Sequence, residues 1–449
     1  MKIVTNQKEI PWTWVFVLLM PWFAHNMWET ISAQGMIFTL RKFYDDPAFM
    51  GLILSTNYAF SLTVGSVVAF VTDYIWTPMG RRRPALMIAF FGGALMSFFI
   101  PFASTGWAVI LFIIGYQFVV DFAVSFEPLT MEVVPPQQRG RSGSVTHWYK
   151  TAATAVTFGV LIANFDNEFD LGWIQFNGEK LMYWTNSVVL ALCGCLILFF
   201  VKEKKPKHFE RQSIRKLLVQ RFFIELTRPT ILRLMGLALA IQTLWFGLLQ
   251  YEGLLITEQW GYEKSEYGYL STASLIATVA LVPFAGWLSD RFDRLFLLKA
   301  GLIGVVVLKF IFYSYIEFVV VGQPSIYAVF AMGMIKSTAG GLIAVACIPL
   351  LFDFVPNARL GTLGCGLGFT FALSSFIGTN VMGNWIKFAS RTVYDMPEGT
   401  YYYFAGYHWL LLTGVLGICY VFYFQRAEKR GAIVRISKAE REESGEGEG

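Results

Sequence analysis

The sequence contains little charge. Only 15% of its 449 residues are Asp, Glu, Lys or Arg, whereas a soluble globular chain carries roughly 25%. Hydrophobic residues make up 55%, and they are gathered in runs of about 20 residues, the length that crosses a bilayer. This composition excludes a single water-soluble core and predicts an all-α integral membrane protein.

Patterns that identify many enzymes and ATP-driven pumps are missing. The sequence has no GxxxxGK phosphate loop, no HExxH zinc pattern and no Ser nucleophile elbow. Its four His residues are far apart along the chain. We therefore expect no enzyme activity, no metal, no cofactor and no nucleic-acid partner.

Cysteine is scarce as well. The five cysteines all fall inside apolar runs, and their number is odd: Cys193, Cys195, Cys347, Cys365 and Cys419. This placement favours small buried hydrophobic residues over disulfides or metal ligands.

Twelve apolar runs predict twelve transmembrane helices. They lie near 12–40, 49–72, 84–104, 107–131, 143–165, 181–201, 230–256, 266–289, 294–318, 325–352, 361–388 and 406–424. The predicted domains are an N-terminal six-helix half (1–201), a linker (202–228), a C-terminal six-helix half (229–425) and a tail (426–449). The linker holds nine Lys or Arg against three Glu, which favours a position along the membrane surface.

The loops between these runs differ in charge. Basic residues concentrate at 81–83, 139–141, 202–228, 291–299, 359 and 426–430, whereas the opposite loops carry mainly acids. Excess Lys and Arg mark the cytoplasmic side. We therefore predict a multi-pass protein of the cell membrane, in contact with the lipid bilayer, monomeric, with both termini and the linker in the cytoplasm.

The two predicted halves repeat each other. Residues 128–139 read PLTMEVVPPQQR and residues 349–359 read PLLFDFVPNAR. A Pro, an acid and a Val-Pro pair recur at an offset of 221 residues, and an Arg follows at an offset of 220. Asp73 and Asp290, each at the end of a predicted helix before a basic loop, are 217 residues apart. Two matches at nearly one offset predict two related six-helix halves around a central site.

The loop from Thr72 to Pro84 reads TDYIWTPMGRRRP. It resembles the signature loop of the major facilitator superfamily, and its length and GRRRP ending are similar to those of the glycoside–pentoside–hexuronide cation symporters and the sucrose–proton symporters. The segment Gly286–Arg294, GWLSDRFDR, resembles the shorter general form. The resemblance implies the major facilitator fold and cation-coupled uptake of a sugar or glycoside.

Acids beside bases at the cytoplasmic helix ends can pair in one conformation and separate in another, which makes them candidate gating residues. The set comprises Asp73, Arg81, Arg82, Arg83, Glu132, Arg139, Asp290, Asp353 and Arg359. For the Arg residues the alternative is a topological anchor, because the positive-inside rule alone places bases there.

Polar side chains inside the spans are candidates for binding a solute, because charges at membrane depth usually face a cavity or a partner. Hydroxyl-rich sugars need polar partners and flat aromatic faces. The candidate substrate-binding residues are His25, Asn26, Trp28, Gln117, Gln242, Trp245 and Glu252. For the tryptophans the alternative is an interfacial belt or helix packing, and for His25 it is a structural hydrogen bond.

Three charged residues are candidates for ion coupling: Asp121 first, Glu29 second, and Lys336 as a counter-charge. Asp121 lies deep in the fourth predicted span, where its protonation can change as a cavity opens to either side. The resemblance to the sugar symporters implies cation-site carboxylates in the second span, but this span offers none before Asp73, which favours protons over sodium. The alternative for Asp121 is a structural pair with Lys336, since the repeat places the fourth and tenth spans in equivalent positions.

The leading functional hypothesis is a proton- or sodium-coupled symporter of a small molecule, a sugar or glycoside, that works by alternating access. An exporter of drugs or organic ions is the alternative on the same fold. A transporter-like sensor that moves no solute is a third reading, and only a flux measurement separates it from a transporter.

Overall fold

A computed structural model describes residues 3–4, 10–74, 76–134, 139–172, 174–203, 227–243, 248–335, 350–351, 353–354 and 360–435. The described part is almost entirely helical, and the twelve-helix architecture predicted from the apolar runs is confirmed. Six of its helices are long and apolar enough, by length and composition, to cross a membrane.

The first six spans are built from short helical segments that continue one another. The α-helices are Trp12–Leu19, Pro21–Thr30, Met36–Arg41, Pro47–Phe60, Ser66–Tyr74, Arg83–Met87, Gly93–Phe99, Gly106–Val120, Phe126–Val133, Arg139–Val156 and Gly178–Phe200. Wider π turns join several of them, at Ile31–Gly35, Ser61–Gly65, Ile88–Gly92 and Thr157–Ile162. Tighter 3₁₀ turns lie at Ile100–Phe102 and Asp121–Ser125. Such irregular turns inside helices often occur at functional positions.

The second six spans contain longer uninterrupted helices. The α-helices are Pro229–Thr243, Leu248–Leu254, Lys264–Arg291, Arg294–Phe318, Leu360–Thr392 and Gly406–Lys429, with a π turn at Leu255–Gln259 and a 3₁₀ turn at Tyr403–Ala405. Ile326–Ile335 is the described part of the tenth span.

Polar residues directly before the apolar runs begin several of these helices. The side chains of Asp46, Thr105, Asn177 and Asp293 each accept a hydrogen bond from a backbone N–H in the first helical turn. These bonds satisfy N–H groups that have no partner within the helix.

Two short two-stranded sheets accompany the helices. Ile3–Val4 pairs in parallel with Val201–Lys202, which ties the N-terminus to the end of the sixth span. Glu168–Asp170 pairs antiparallel with Gln175–Asn177 in the loop between the fifth and sixth spans.

The chain divides into two compact units. The N-terminal unit comprises Met1–Gln212 together with Tyr262–Thr272, and the C-terminal unit comprises Ser213–Gly261 with Ala273–Gly449. The segment Tyr262–Thr272 is held in the N-terminal unit by an ion pair of 2.7 Å between Lys264 Nζ and Asp166 Oδ1. The Tyr267 hydroxyl also donates a hydrogen bond to Gln34 at 2.7 Å.

Buried polar networks hold the N-terminal unit together. Glu179 accepts hydrogen bonds from Lys42 at 2.6 Å and from Thr39 at 2.8 Å, and the Asn186 amide donates to Ser97 and Tyr116. Polar groups at membrane depth need such partners, because the lipid offers none. These networks therefore connect spans whose surfaces are otherwise apolar.

The C-terminal unit has an apolar core between its seventh, ninth and twelfth spans. Seventeen buried residues form this core, among them Leu234, Leu298, Leu302, Val421 and Phe424. Ile433 belongs to it too, so the chain beyond the last helix returns to pack against the same end of this unit.

Candidate functional site

The first span brings a polar and aromatic cluster to one face of the helix Pro21–Thr30. His25 Nε2 lies 3.5 Å from Glu29 Oε1, and the His25 ring contacts Trp22 and Trp28 at centroid distances of 5.2 and 4.6 Å. The Glu29 side chain is 52% exposed at membrane depth. Residues three and four positions apart share a helix face, and this spacing explains the grouping.

Lys150 completes this cluster from the fifth span. Its ammonium group lies 4.1 Å from the centroid of the Trp22 ring, and it interacts electrostatically with Glu29. Lys150 was not among the candidates, although it is a base inside a predicted span, and that signal could have identified it. The structure thus places an acid, a base, a histidine and an aromatic face together.

Asp121 lies at the first residue of the 3₁₀ turn in the fourth span. Ser61, the first residue of the π turn in the second span, donates a hydrogen bond to Asp121 Oδ1 at 2.6 Å. Asp121 Oδ2 is buried and has no hydrogen-bond partner among the described residues. A weaker electrostatic interaction with Glu29 also acts on Asp121, and it couples the two ion-coupling candidates of this unit.

Other predicted substrate-binding residues face helix neighbours. The Asn26 amide donates to the Lys150 carbonyl at 2.8 Å and to Thr154 at 2.5 Å. Trp28 is buried and contacts Phe90. These two residues therefore connect the first span to the fifth and third spans, whichever solute the site binds.

The remaining candidates of this class also lie within the helix bundles. Gln117 is buried and accepts a hydrogen bond from Thr56. Gln242 is half-buried in the seventh span. Glu252 is buried in the C-terminal unit, where it lines a cavity of about 30 Å³ together with Lys309 and Tyr407. Sequence reading identified Glu252 but not Lys309, a second base inside a predicted span.

The basic signature loop binds a carboxylate through its backbone. Glu203, at the end of the sixth span, accepts hydrogen bonds from the backbone N–H groups of Arg81, Arg82 and Arg83 at 3.0 to 3.3 Å. Gly80 has a φ of +114°, and a Cβ atom there would lie 2.6 Å from Glu203 Oε1. The Gly in this loop is thus required both by its backbone angle and by the approach of Glu203.

Asp353, the acid of the second repeat segment, is paired. Arg294 Nη1 donates to both of its carboxylate oxygens, at 2.8 and 3.0 Å. Nearby, Arg435 binds Asp293 at 2.5 Å and Glu428 at 2.6 Å. The hydrogen bond from Arg435 lowers the pKa of the Asp293 carboxyl. All five charges lie within the C-terminal unit.

Several candidates lie beyond what the structure describes. Trp245, Lys336 and Arg359 are outside the described residues, as are 204–226 of the linker and 436–449 of the tail. For Asp73, Glu132, Arg139 and Asp290 the helical backbone is described and the side chain is not. Within the described ranges, no group of three His, Cys, Asp or Glu is placed to hold a metal ion.

Comparisons with known proteins address the fold directly. The sequence model of the Major Facilitator Superfamily matches residues 234–443, slightly less than half of the chain. No curated protein matches in sequence. A solved D-xylose–proton symporter is 18% identical, with 92% of this chain and 97% of that chain covered and a TM-score of 0.66.

Two further solved structures share this fold. A bacterial homologue of the human lysosomal transporter Spinster is 15% identical, covers 95% of this chain and 98% of its own, and has a TM-score of 0.68. The nucleoside transporter NupG is 12% identical, covers 92% and 97%, and has a TM-score of 0.63. The chain therefore has the fold of these solved transporters over more than nine-tenths of its length, and its residues 234–443 match the Major Facilitator Superfamily.

Proposed function

We propose that this protein is a proton-coupled symporter of a sugar or glycoside that works by alternating access, with Asp121 as the proton-carrying group. The observation that carries the proposal is the environment of Asp121. One carboxylate oxygen is held by Ser61 at 2.6 Å, while the other is buried without a hydrogen-bond partner among the described residues. A carboxylate with one buried oxygen that accepts no hydrogen bond is placed to take up a proton, since burial without a donor disfavours the charged form.

The first-span cluster supports a polar, uncharged solute. Glu29 offers acceptors and Lys150 offers donors, and the buried Trp22 ring holds the Lys150 ammonium group in place. Opposite charges within one site also balance each other, so the empty site is not left with a large net charge. The fold match to a D-xylose–proton symporter agrees with this substrate class, whereas the match to a nucleoside transporter leaves room for other hydroxyl-rich solutes.

Gating forms the second part of the proposal. Asp73, Glu132, Arg139, Asp290 and Arg359 remain candidates for pairs that form and separate at the cytoplasmic ends of the helices. Arg294 joins them, because it holds Asp353 by two hydrogen bonds.

Transport by purified protein in liposomes tests the proposal. A panel of radiolabelled sugars and glycosides is offered under an imposed proton gradient and under an imposed sodium gradient. A driving force of 100 mV on one proton supplies about 2.3 kcal/mol, and every 1.4 kcal/mol is tenfold, so coupled uptake should reach roughly 50-fold accumulation.

Asp121→Asn should abolish accumulation and retain exchange of labelled against unlabelled substrate. Asn keeps an oxygen that can accept from Ser61, so the fold should persist. Glu127→Gln is the matched control, because Glu127 is an exposed acid on the same span. Full proton-driven accumulation by Asp121→Asn would exclude Asp121 from coupling and move the role to Glu29. Expulsion of an organic cation without transport of any sugar would instead support the alternative function, an exporter of drugs or organic ions.

A further inference from the structure

The N-terminal unit has an open apolar groove that is lined by other residues than those of the polar cluster. It has a volume of about 560 Å³ and lies between the second, third and fourth spans. Val67, Ile88 and Phe118 line it and are 54%, 47% and 41% exposed. Large apolar side chains exposed this way in a membrane protein contact hydrocarbon.

The walls of the groove offer almost no free hydrogen-bonding group. The Thr63 hydroxyl donates to the Ala59 carbonyl, and the Thr77 hydroxyl donates to the Gly80 carbonyl. The Thr72 hydroxyl is bonded to Ser125. The threonines that line the groove are thus satisfied within the protein. A polar solute would lose its hydrogen bonds to water here without replacement, whereas an alkyl chain loses nothing.

The length of the groove matches one leaflet of a bilayer. Its lining along the second span runs from Thr63 to Thr72, and the nine steps between these residues span about 14 Å at 1.5 Å per residue. Half of a hydrocarbon core of about 30 Å is about 15 Å. An acyl chain in the groove would therefore extend from the membrane surface to the bilayer centre.

Among the described residues that line the groove, the charged side chain is that of Arg81, at one end. Arg81 lines the groove where the third span begins, next to Arg82 and Arg83, on the side that the excess of Lys and Arg assigns to the cytoplasm. The cytoplasmic leaflet is the one that carries anionic lipid, and basic residues at its surface attract those headgroups. The groove is thus apolar along its length and basic at its cytoplasmic end, which matches the acyl chain and the anionic headgroup of a phospholipid.

We propose that this groove is a binding site for an anionic phospholipid of the cytoplasmic leaflet, with one acyl chain between the second, third and fourth spans and the phosphate beside Arg81. The site does not depend on which solute the protein transports.

Lipid retention by the purified full-length protein tests the site. The protein is delipidated in mild detergent and titrated with dioleoylphosphatidylglycerol or dioleoylphosphatidylcholine, and bound lipids are counted by native mass spectrometry. The wild type should bind its first phosphatidylglycerol at least tenfold more tightly than later copies. Val67→Trp should fill the groove and remove this tight step. Leu52→Trp is the control, because Leu52 lies on the same span, is 52% exposed and is outside the groove.

Two more variants keep the test decisive. Ile88→Trp fills the groove from the third span and should also remove the tight binding step. It replaces Val67→Trp in the test if that variant does not fold. Arg81→Gln retains the backbone N–H that binds Glu203 and should weaken phosphatidylglycerol binding about fivefold, the contribution of one basic residue at the surface, without affecting phosphatidylcholine.

Three results would overturn the proposal. The first is equal binding by Val67→Trp, Ile88→Trp and Leu52→Trp. The second is an unchanged preference for phosphatidylglycerol in Arg81→Gln. The third is a wild-type dimer that the groove variants dissociate, which would make the groove an interface between two copies of the chain.

Discussion

Removing the Glu203 carboxylate should destabilise the protein more than any other single change at this end of the N-terminal unit. Glu203 is buried and accepts from three consecutive backbone N–H groups. In Glu203→Ala these groups, at the beginning of the helix Arg83–Met87, lose their acceptor, and the helix also loses an anion at its positive end.

The magnitude follows from the number of donors. A hydrogen bond to a charged group contributes about 1.5–3 kcal/mol. Three donors share one carboxylate, so the contributions do not add fully, and we expect a loss of about 3–5 kcal/mol, as for breaking a buried charged pair. A unit of about 200 residues loses roughly 2–4 °C in Tm per kcal/mol. The melting temperature should therefore fall by about 10 °C.

Thermal unfolding in detergent, followed by fluorescence-detected size exclusion, measures this shift. Lys202→Ala is the matched control, because Lys202 is the preceding residue and its side chain is exposed. Glu203→Gln should fall between the two, since its amide oxygen still accepts but its NH₂ group faces a backbone donor. A Glu203→Ala protein that melts within 2 °C of Lys202→Ala would refute the argument.

Two further predictions concern a close contact and a surface ion pair. In Gly268→Ala the new Cβ would lie 2.4 Å from the Phe158 carbonyl oxygen, so the variant should lose about 1–3 kcal/mol of stability. The control is Gly304→Ala, whose Cβ would have nothing within 4 Å and which should lose no stability. Equal melting temperatures of the two variants would contradict the close contact at Gly268. Arg435→Gln should lower the melting temperature by a constant amount between pH 5 and pH 8. Folding lowers the pKa of the Asp293 carboxyl through its bond to Arg435. Such a carboxyl stabilises the fold above its unfolded pKa of about 3.9, and this stabilisation is lost as the pH falls further. A difference between Arg435→Gln and the wild type that grows below pH 4 would contradict the ion pair.

The membrane architecture could be predicted from the sequence because its signals are local. A run of about 20 apolar residues must form a helix across a bilayer, since the lipid satisfies no backbone group. The helix beginnings at Asp46, Thr105 and Asn177 follow from adjacent residues in the same way. The grouping of Trp22, His25 and Glu29 follows from helical spacing alone.

Partners between distant spans could not be predicted. Helical spacing tells which face a residue occupies but not which helix packs against that face. For Asp121 a structural pair with Lys336 was the alternative to a coupling role. The structure shows a hydrogen bond from Ser61 to Asp121 and Lys150 as the base that interacts with Glu29. Lys336 itself is outside the described residues, so that pairing stays a prediction.

In the signature loop, too, the sequence predicts the local features but not the distant partner. Its sequence marks Gly80 and the three Arg residues that follow, and charge alone favours a role for the guanidinium groups. The structure shows that three backbone N–H groups of this loop bind Glu203, which lies about 120 residues away in a linker read only as basic. The sequence by itself determined where the helices are, because the bilayer acts on each segment separately. The tertiary structure alone decided which polar groups meet, because a hydrogen bond depends on the close approach of atoms that the chain order does not relate.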